Sequence, residues 1–346
     1  MNKKTKVAAI GAGRMGRGLA HVFAYAGHEV KLLDAKKRKR NDFFKLKKSA
    51  LTEIRSTITL MAELGQITEE EVEKILDRVS VYPRDKTAEA LENVQLIFEG
   101  VPEISTIKLD TLAFISKLAS PKAIIASTTS TMMVDELGQA VSSPKRFLNA
   151  HWLNPAFLIP LVELSIGKNT SQTTIKTLKE FLETIGKVPV VLQASPGFAV
   201  PRIQSLAMSE ALRAVEEGVA SAEEIDKAIR VGFGIRFAVI GLVEFVDWGG
   251  NDILNYAGKY LEKAFNSERF KVPKIAERYM KEGRNGLREK HGFYDYRNID
   301  ADEYQRQTLV KLFDLLKHLG LTAPAGGVSN HLESPAARAT NRFLKS

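Results

Sequence analysis

One of the six histidines in the 346-residue sequence, His151, has the surroundings expected of an acid–base residue. It follows an apolar, strand-like run and precedes a turn in the segment 149–155. Twelve residues later, Glu163 lies inside the apolar run 161–164, where an unpaired carboxylate would cost several kcal/mol. If the two strands are neighbours, Glu163 accepts a hydrogen bond from one imidazole nitrogen, fixes the tautomer and stabilises the imidazolium. The pair predicts a general base, and a purely structural His–Glu pair is the alternative.

A glycine-rich turn near the start of the chain has the pattern of a dinucleotide-binding site. It lies between a strand-like run at 7–10 and a helical stretch at 19–26, and it comprises Gly11, Ala12, Gly13, Arg14, Met15 and Gly16. Gly11 permits the tight turn, Gly13 lets the backbone approach a pyrophosphate at the helix N-terminus, and Gly16 permits close packing of helix on strand. In this context the G-x-G-x-x-G pattern predicts a dinucleotide site, with a structural glycine turn as the alternative.

Asp34, at the end of the second strand-like run, bears on the choice between NAD and NADP. At this position a carboxylate can hydrogen-bond both ribose hydroxyls of NAD and repel the extra phosphate of NADP. Lys36, Lys37 and Arg38 follow directly and are able to neutralise that phosphate. Because exposed lysines on a mobile stretch are screened by salt, Asp34 decides the prediction, and we expect NAD as the cofactor.

The order of apolar runs and helical stretches predicts an α/β fold. Residues 1–35 read as one βαβ unit, and helical stretches at 41–64 and after Thr68 form a helical insertion. Short apolar runs then alternate with helices up to residue 192, which is typical of a Rossmann-type, doubly wound, mainly parallel sheet. From residue 195 onward only helical periodicity follows, so an all-α C-terminal domain is expected.

These patterns divide the chain into three expected regions. Residues 1–194 are expected to form a NAD-binding Rossmann domain, and residues 195–321 an all-helical domain for substrate binding and dimerisation. Residues 322–346 are rich in Ala, Gly, Pro, Ser and Asn, and this composition predicts a weakly structured C-terminal tail.

Composition excludes several classes of protein. The sequence has no cysteine, which excludes disulfides and thiolate chemistry and favours a reducing, cytoplasmic compartment. No run approaches the roughly 20 apolar residues of a membrane span, and charged residues interrupt the first apolar run, so no membrane segment or export signal is expected. Of the net charge of +9, residues 36–48 carry eight basic side chains and one acid. We interpret this cluster as a solvated helix face or an attractor of a phosphorylated ligand, and we expect no nucleic-acid partner.

Taken together, the motifs from Lys6 to about Tyr296 resemble the L-3-hydroxyacyl-CoA dehydrogenase family, including bacterial 3-hydroxybutyryl-CoA dehydrogenases. The segments that carry the resemblance are 11–16 with Asp34, 99–103 with Lys108, 126–130, 151–155, Glu163, 195–198 and 292–296. The resemblance implies His151 as the general base, Glu163 as its orienting partner and Ser130 as a donor to the substrate's oxygen. It implies no metal.

The same resemblance places Glu103, Lys108 and Asn154 at cofactor-contacting positions. Without it, Glu103 and Lys108 would be interpreted as an ordinary acid at a helix start and a solvated lysine. Family members form homodimers, so the helical domain is expected to bury an apolar face, including Phe245, Trp248 and Tyr256, against a second copy.

Two departures from the family pattern concern the substrate. Pro201 stands where the family has an asparagine that binds and polarises the substrate, and Gln204, on about the same helical face, is the candidate substitute. The family's serine and lysine for the CoA nucleotide fall on Ala50 and Thr57 here. The residues at these two positions therefore do not support extending the family's CoA binding to this chain.

The sequence therefore predicts NAD-dependent oxidation of a secondary alcohol, reversible as a carbonyl reduction. A 3-hydroxyacyl-CoA is the first expected substrate, and a free 3-hydroxy acid, as in carnitine and gulonate dehydrogenases, is the alternative. A non-catalytic NAD(H)-binding protein, as in the lambda-crystallins, is a second alternative that the intact Ser130, His151 and Glu163 argue against. The β-hydroxyacid dehydrogenases related to 6-phosphogluconate dehydrogenase rely on a helix-borne lysine, and the His–Glu arrangement fits them poorly.

Overall fold

The computed structural model describes residues 5–322 of the chain. These residues fall into two compact units, of which the first ends at Ala207 and the second begins at Met208. Beyond its first residue, the predicted tail 322–346 lies outside the described residues.

The first unit is built on one eight-stranded sheet. Its strands are β1 Lys6–Ile10, β2 Glu29–Leu33, β3 Val79–Tyr82, β4 Leu96–Glu99, β5 Ile124–Ser127, β6 Phe147–Trp152, β7 Leu161–Ile166 and β8 Val188–Gln193. The strand order is β3-β2-β1-β4-β5-β6-β7-β8, and every neighbouring pair is parallel except the antiparallel pair β6 and β7. The strand order reverses between β1 and β4, and open α/β sheets bind ligands at the carboxyl ends of their strands beside such a reversal.

Helices cover this sheet. They are α1 Arg14–Tyr25, α2 Arg40–Glu63, α3 Glu69–Leu76, α4 Thr87–Ala90, α5 Ser105–Leu118, α6 Val134–Gly138 and α7 Gln172–Thr184. The pair α2 and α3 is the predicted insertion, and α3 begins where the Thr68 N–H donates to Glu71 Oε2 at 2.8 Å. A Glu side chain at this position satisfies a backbone donor that the helix itself leaves without a partner.

Buried side chains of the sheet are divided between its two faces because successive residues of a strand point in opposite directions. Val7 belongs to a cluster with Phe23 of α1, whereas the next residue, Ala8, belongs to a second cluster with Leu112 of α5. A sheet covered on both faces has strands that read as continuous apolar runs, which is why the sequence pattern revealed most of them.

The second unit is helical in its described part. After α8 Val200–Glu216, which includes residues of both units, come α9 Ala222–Ala228, a π-helical segment Ile229–Gly234, α10 Ile235–Val239, α11 Leu242–Gly249, α12 Asn251–Phe265, α13 Lys274–Lys281 and α14 Ala301–His318. Isolated bridges join Gly286 to His291 and His291 to Asp295. The predicted fold, a doubly wound sheet followed by an all-α domain, is confirmed. No helix within residues 5–322 is long and apolar enough to cross a membrane.

Sequence patterns did not reveal strand β3. This strand is four residues long, lies at the end of the sheet and pairs only with β2. Short edge strands carry a weak hydrophobic signal, and their extended conformation depends on pairing with a distant segment. Helix α13 was also absent from the predicted elements, because a helix of eight residues is too short to give a clear periodic signal.

Candidate active site

The glycine turn between β1 and α1 has the geometry of a phosphate-binding loop. Gly11 has a φ of +104°, and a Cβ there would lie 2.8 Å from the carbonyl oxygen of Gly100. A Cβ on Gly16 would lie 1.8 Å from the carbonyl oxygen of Gly11, so close packing of α1 requires glycine. By contrast, a Cβ on Gly13, at the N-cap of α1, would meet no atom within 4 Å. The open space over Gly13 fits a pyrophosphate at the helix N-terminus.

A cavity of about 400 Å³ opens beside this turn. Its lining residues are Gly11, Ala12, Gly13, Arg14, Arg17, Asp34, Ala35, Lys36, Arg38, Leu46, Gly100, Val101 and Pro102. The predicted Asp34 and most of the glycine turn therefore border one space at the ends of β1, β2 and β4. Met15 and Gly16 do not line this cavity, because the Met15 side chain packs against the hydrophobic cluster beneath α1 and Gly16 packs closely against Gly11.

Asp34, directly after β2, is buried at the edge of this cavity, with 4% of its surface exposed. Its Oδ1 accepts a hydrogen bond from the Lys36 backbone N–H at 3.1 Å, and its Oδ2 accepts one from Arg38 Nε at 2.5 Å. The carboxylate is thus fixed in place by its own loop. Each oxygen retains acceptor capacity for a further donor such as a ribose hydroxyl.

Lys108, predicted as a cofactor contact, is held in a buried ion pair with Glu99. Its ammonium lies 3.1 Å from Oε1 and 3.2 Å from Oε2 of Glu99, and neither side chain is more than 1% exposed. Glu99 also accepts hydrogen bonds from the Val101 N–H at 2.7 Å and from Ser127 Oγ at 2.5 Å. Sequence reasoning missed Glu99 as a partner, although an acid at the end of an apolar strand was a visible signal.

Glu103 organises the loop that carries Ser130. One carboxylate oxygen of Glu103 accepts hydrogen bonds from the Thr129 hydroxyl and from the Ser130 N–H, the latter at 3.0 Å, while Lys108 lies 3.4 Å from the other. Burial raises the pKa of Glu103, but the Thr129 hydroxyl and the Lys108 ammonium outweigh it and lower the pKa below its usual value. The charged Glu103 thereby anchors the backbone of the loop after β5, and the Ser130 side chain is half-buried there.

His151 and Glu163 lie opposite each other in the antiparallel pairing of β6 and β7. His151 Nδ1 is 2.8 Å from Glu163 Oε2, and both residues are buried, with 8% and 1% exposure. The other oxygen of Glu163 accepts the N–H groups of Ala199 and Val200, at 3.0 and 2.9 Å, where α8 begins. Phe198 stacks on the imidazole with ring centroids 5.5 Å apart. The imidazole is therefore fixed in position, and its Nε2 is the nitrogen that Glu163 does not engage.

A second cavity, of about 180 Å³, lies between α1, α2 and the loop that follows His151. Its lining residues are Arg14, Arg17, Gly18, Glu53, Ile54, Thr57, Asn154, Pro155, Ala156 and Phe157. Arg14 and Arg17 also line the dinucleotide cavity, so the two cavities are neighbours. Arg17 is ion-paired with Glu53 and donates from Nε to the carbonyl oxygen of Ala12 at 2.9 Å. Asn154 is exposed at the rim.

The loop wall of this cavity is held from two sides. On one side, the buried Lys187 ammonium donates to the carbonyl oxygens of Ala156 and Ile159 at 2.7 and 2.9 Å. On the other side, Phe157 stacks on His21, whose ring centroid is 4.8 Å away. Burial and the nearby Lys187 lower the pKa of His21 to about 4, so this imidazole is neutral near pH 7.

The substrate-related departures have clear positions. Pro201 and Gln204 lie in α8, and the exposed Gln204 side chain makes no hydrogen bond to any residue within 5–322. Ala50 is fully buried in the core on α2. The Thr57 hydroxyl donates to the carbonyl oxygen of Ile54 at 2.9 Å and lies 2.7 Å from His21 Nδ1. Ala50 therefore has no polar group to offer a ligand, and the Thr57 hydroxyl is already engaged by Ile54 and His21.

Comparisons with known proteins agree with this arrangement. Residues 6–195 match the family model of the 3-hydroxyacyl-CoA dehydrogenase NAD binding domain, and residues 197–296 match the C-terminal domain of the same family. A 3-hydroxybutyryl-CoA dehydrogenase of Bradyrhizobium diazoefficiens is 31% identical over 292 residues, covering 84% of this chain and 95% of the relative. The 5-formyl-3-hydroxy-2-methylpyridine 4-carboxylate 5-dehydrogenase of Mesorhizobium japonicum is 27% identical, covering 88% and 95%. The solved 3-hydroxyacyl-CoA dehydrogenase of Archaeoglobus fulgidus is 31% identical, with a TM-score of 0.71 and coverage of 92% and 100%.

Proposed function

The chain belongs to the 3-hydroxyacyl-CoA dehydrogenase family, and we propose that it interconverts a 3-hydroxyacyl-CoA of the 3-hydroxybutyryl type and the corresponding 3-oxoacyl-CoA with NAD. The observation that carries the proposal is the buried His151–Glu163 pair. His151 lies near the carboxyl end of β6, at the same edge of the sheet as the dinucleotide cavity. A histidine oriented by a carboxylate can act as the general base that takes the hydroxyl proton as hydride is transferred.

In the proposed reaction His151 Nε2 takes the proton of the substrate's hydroxyl group. Glu163 holds the imidazole through Nδ1 and stabilises the imidazolium, and the two N–H groups at the start of α8 keep the carboxylate in place. Ser130 is proposed to donate to the substrate oxygen, from a loop anchored by Glu103. In the reverse direction His151 returns the proton to the forming alkoxide.

The residues proposed to hold the cofactor are the glycine turn for the pyrophosphate and Asp34 for the adenosine ribose. Met15 contributes only through its place in the turn, and Glu103, Lys108 and Asn154 are proposed to shape the nicotinamide side. When bound, NAD supplies the hydride acceptor. The chain positions the cofactor and the substrate, and it supplies the proton acceptor and the helix dipole of α1.

A free 3-hydroxy acid is the second candidate substrate, and a specific observation favours it. Ala50 is buried, and the Thr57 hydroxyl is engaged by Ile54 and His21, so neither residue is proposed to bind a CoA nucleotide. The Mesorhizobium relative, named for a pyridine carboxylate, supports the view that this scaffold also accepts acids. Gln204 is proposed to contact the substrate in place of the asparagine replaced by Pro201.

Steady-state oxidation of NADH with acetoacetyl-CoA and with acetoacetate separates the two candidates. We expect kcat/KM for the CoA ester to be higher by at least about tenfold, equivalent to roughly 1.4 kcal/mol. A higher value for acetoacetate would establish the free acid. Binding of NADH without turnover of either compound would contradict a dehydrogenase and favour a non-catalytic NAD(H)-binding protein.

The finer organisation of the protein is also proposed here. We propose residues 1–194 as the NAD-binding domain and residues 195–321 as the domain for substrate binding and dimerisation, with a homodimer as the assembly. The absence of cysteine from the sequence supports a reducing, cytoplasmic compartment.

A further inference from the structure

The ribose end of the dinucleotide cavity contains an ion pair that the dinucleotide motif does not require. The buried Asp34 carboxylate is bonded at 2.5 Å by Arg38 Nε, four residues later along the chain. The Arg38 side chain is 32% exposed and lines the cavity together with Lys36. Arg38 thus forms an ion pair with the acid that is expected to select NAD over NADP.

The Asp34–Arg38 pair leaves most of the guanidinium available to a ligand. Arginine has five N–H donors, and the contact with Asp34 uses Nε. Within the part of the chain that the structure describes, the two Nη groups of Arg38 make no hydrogen bond. A planar fork of N–H donors at the rim of a nucleotide cavity matches the oxygen atoms of a phosphate.

The pair also removes the electrostatic basis for rejecting a phosphate. An isolated carboxylate at the end of β2 repels the 2'-phosphate of NADP, whereas a nearby arginine accommodates it. Here the negative charge of Asp34 is balanced by Arg38, and Lys36 adds a positive charge at the same cavity. Asp34 still has acceptor capacity for the ribose hydroxyls of NAD, so binding of NAD is retained.

We propose that Arg38 is a specificity-determining residue that lets this chain bind NADP(H) as well as NAD(H). The inference concerns the cofactor site of the proposed function and does not depend on which substrate is used. Arg38 holds Asp34 when NAD is bound and offers its Nη donors to the 2'-phosphate when NADP is bound. Lys37 carries the same charge next to Arg38 but does not line the cavity, so it serves as the matched control.

Binding of NADH and NADPH, followed by nucleotide fluorescence without substrate, tests this proposal on the full chain and on the variants Arg38→Gln and Lys37→Gln. For the unmodified protein we expect dissociation constants for the two nucleotides within about tenfold of each other. Arg38→Gln is expected to raise the dissociation constant for NADPH by about tenfold or more, because charge-assisted hydrogen bonds are lost. The dissociation constant for NADH should change by less than about threefold. Lys37→Gln should leave the ratio of the two constants unchanged.

Three outcomes would overturn the role of Arg38. The first is NADH binding without detectable NADPH binding by the unmodified protein. The second is equal weakening of NADPH by Arg38→Gln and Lys37→Gln, which would indicate only diffuse attraction by the basic cluster. The third is an equal loss of both nucleotides in Arg38→Gln, which would indicate a structural role for the Asp34–Arg38 pair. Failure to bind either nucleotide would instead contradict the proposed cofactor site itself.

Discussion

The two units bury apolar surface very differently. Both clusters of buried hydrophobic side chains lie in the first unit, on the two faces of its sheet. In the described part of the second unit the buried hydrophobic residues are only Ile235, Ile240, Val272, Ala276, Leu287 and Tyr296. Large apolar side chains stay exposed there, including Leu212, Val219 and Tyr260, at 70%, 68% and 72%. The first unit resembles an ordinary globular core, whereas exposed apolar surface of this kind is typical of an interaction face.

The second unit also contains a buried polar contact that fixes one of its loops. Asp247 is 1% exposed, and its two carboxylate oxygens accept the N–H groups of Phe293 and Tyr294, both at 2.8 Å. A Cβ on Gly292 would lie 2.1 Å from Asp247 Oδ1, so the loop approaches the carboxylate at a point where only glycine fits. This geometry explains the segment 292–296 as structural. The proposed chemistry lies in the first unit, and the second unit is the proposed site of association.

The largest expected effect concerns the chemistry of the first unit. His151→Gln removes the proposed base and is expected to lower kcat by about 10² to 10⁴ while the dissociation constant for NADH stays nearly unchanged. Glu163→Gln should cause a smaller loss of kcat, because the amide no longer stabilises the imidazolium that forms when His151 takes the proton.

These two losses should not add, because His151 and Glu163 act as one unit. The double variant is expected to be only slightly slower than His151→Gln alone in the same steady-state assay. Near-normal turnover of His151→Gln on the best substrate would contradict the assignment and place the base elsewhere.

A smaller effect is expected on the stability of the second unit. Asp247→Ala leaves the N–H groups of Phe293 and Tyr294 without a partner, and hydrogen bonds to a charged group contribute roughly 1.5 to 3 kcal/mol each. We expect a loss of about 3 kcal/mol in the free energy of unfolding, measured by urea titration with circular dichroism. NADH binding at low urea should persist, because the cofactor cavity is lined by residues of the first unit.

Asp295→Ala is the control for Asp247→Ala. Asp295 lies in the same loop, but it forms an exposed ion pair with Arg297, and such pairs contribute about 0 to 1 kcal/mol. Equal destabilisation by the two substitutions would show that the buried carboxylate has no special part in fixing the loop.

The smallest expected effect concerns association of two copies through the second unit. Tyr256, on α12, is 63% exposed, whereas Phe245 and Trp248 are half-buried and contact Phe237 and Tyr304. We expect a homodimer by light scattering at micromolar concentration, and Tyr256→Lys should weaken its association by about tenfold or more, since exposed aromatics are typical interface anchors.

Leu64→Lys provides the matched control for association, because Leu64 is a 56% exposed apolar residue of the first unit, directly after α2. This substitution should leave the mass distribution unchanged. A monomeric unmodified chain would contradict the proposed homodimer. Equal weakening of association by Tyr256→Lys and Leu64→Lys would contradict the proposal that association involves the second unit rather than the first.

The sequence by itself determined the parts of the site that depend on local geometry. A glycine that needs a positive φ, as at Gly11, or that has no room for a Cβ, as at Gly16, is visible in the chain because other residues cannot replace it. The pairing of His151 with Glu163 was also predictable, since an acid inside an apolar strand requires a partner on a neighbouring strand. Continuous apolar runs likewise revealed most of the sheet.

Only the tertiary structure decided which charges meet. The sequence presented Lys36, Lys37 and Arg38 as equivalent cations. In the structure, Arg38 is the one of the three whose charged side chain bonds to the Asp34 carboxylate. In the sequence, Lys108 was interpreted as a solvated lysine or, by resemblance, as a cofactor contact. In the structure, α5 places its ammonium against the Glu99 carboxylate at the end of β4. Hydrogen bonds and ion pairs act over about 3 to 4 Å. Their partners therefore depend on the exact path of the backbone, within one turn for Asp34 and Arg38 and between separate segments for Lys108 and Glu99, and no pattern in the chain specifies that path.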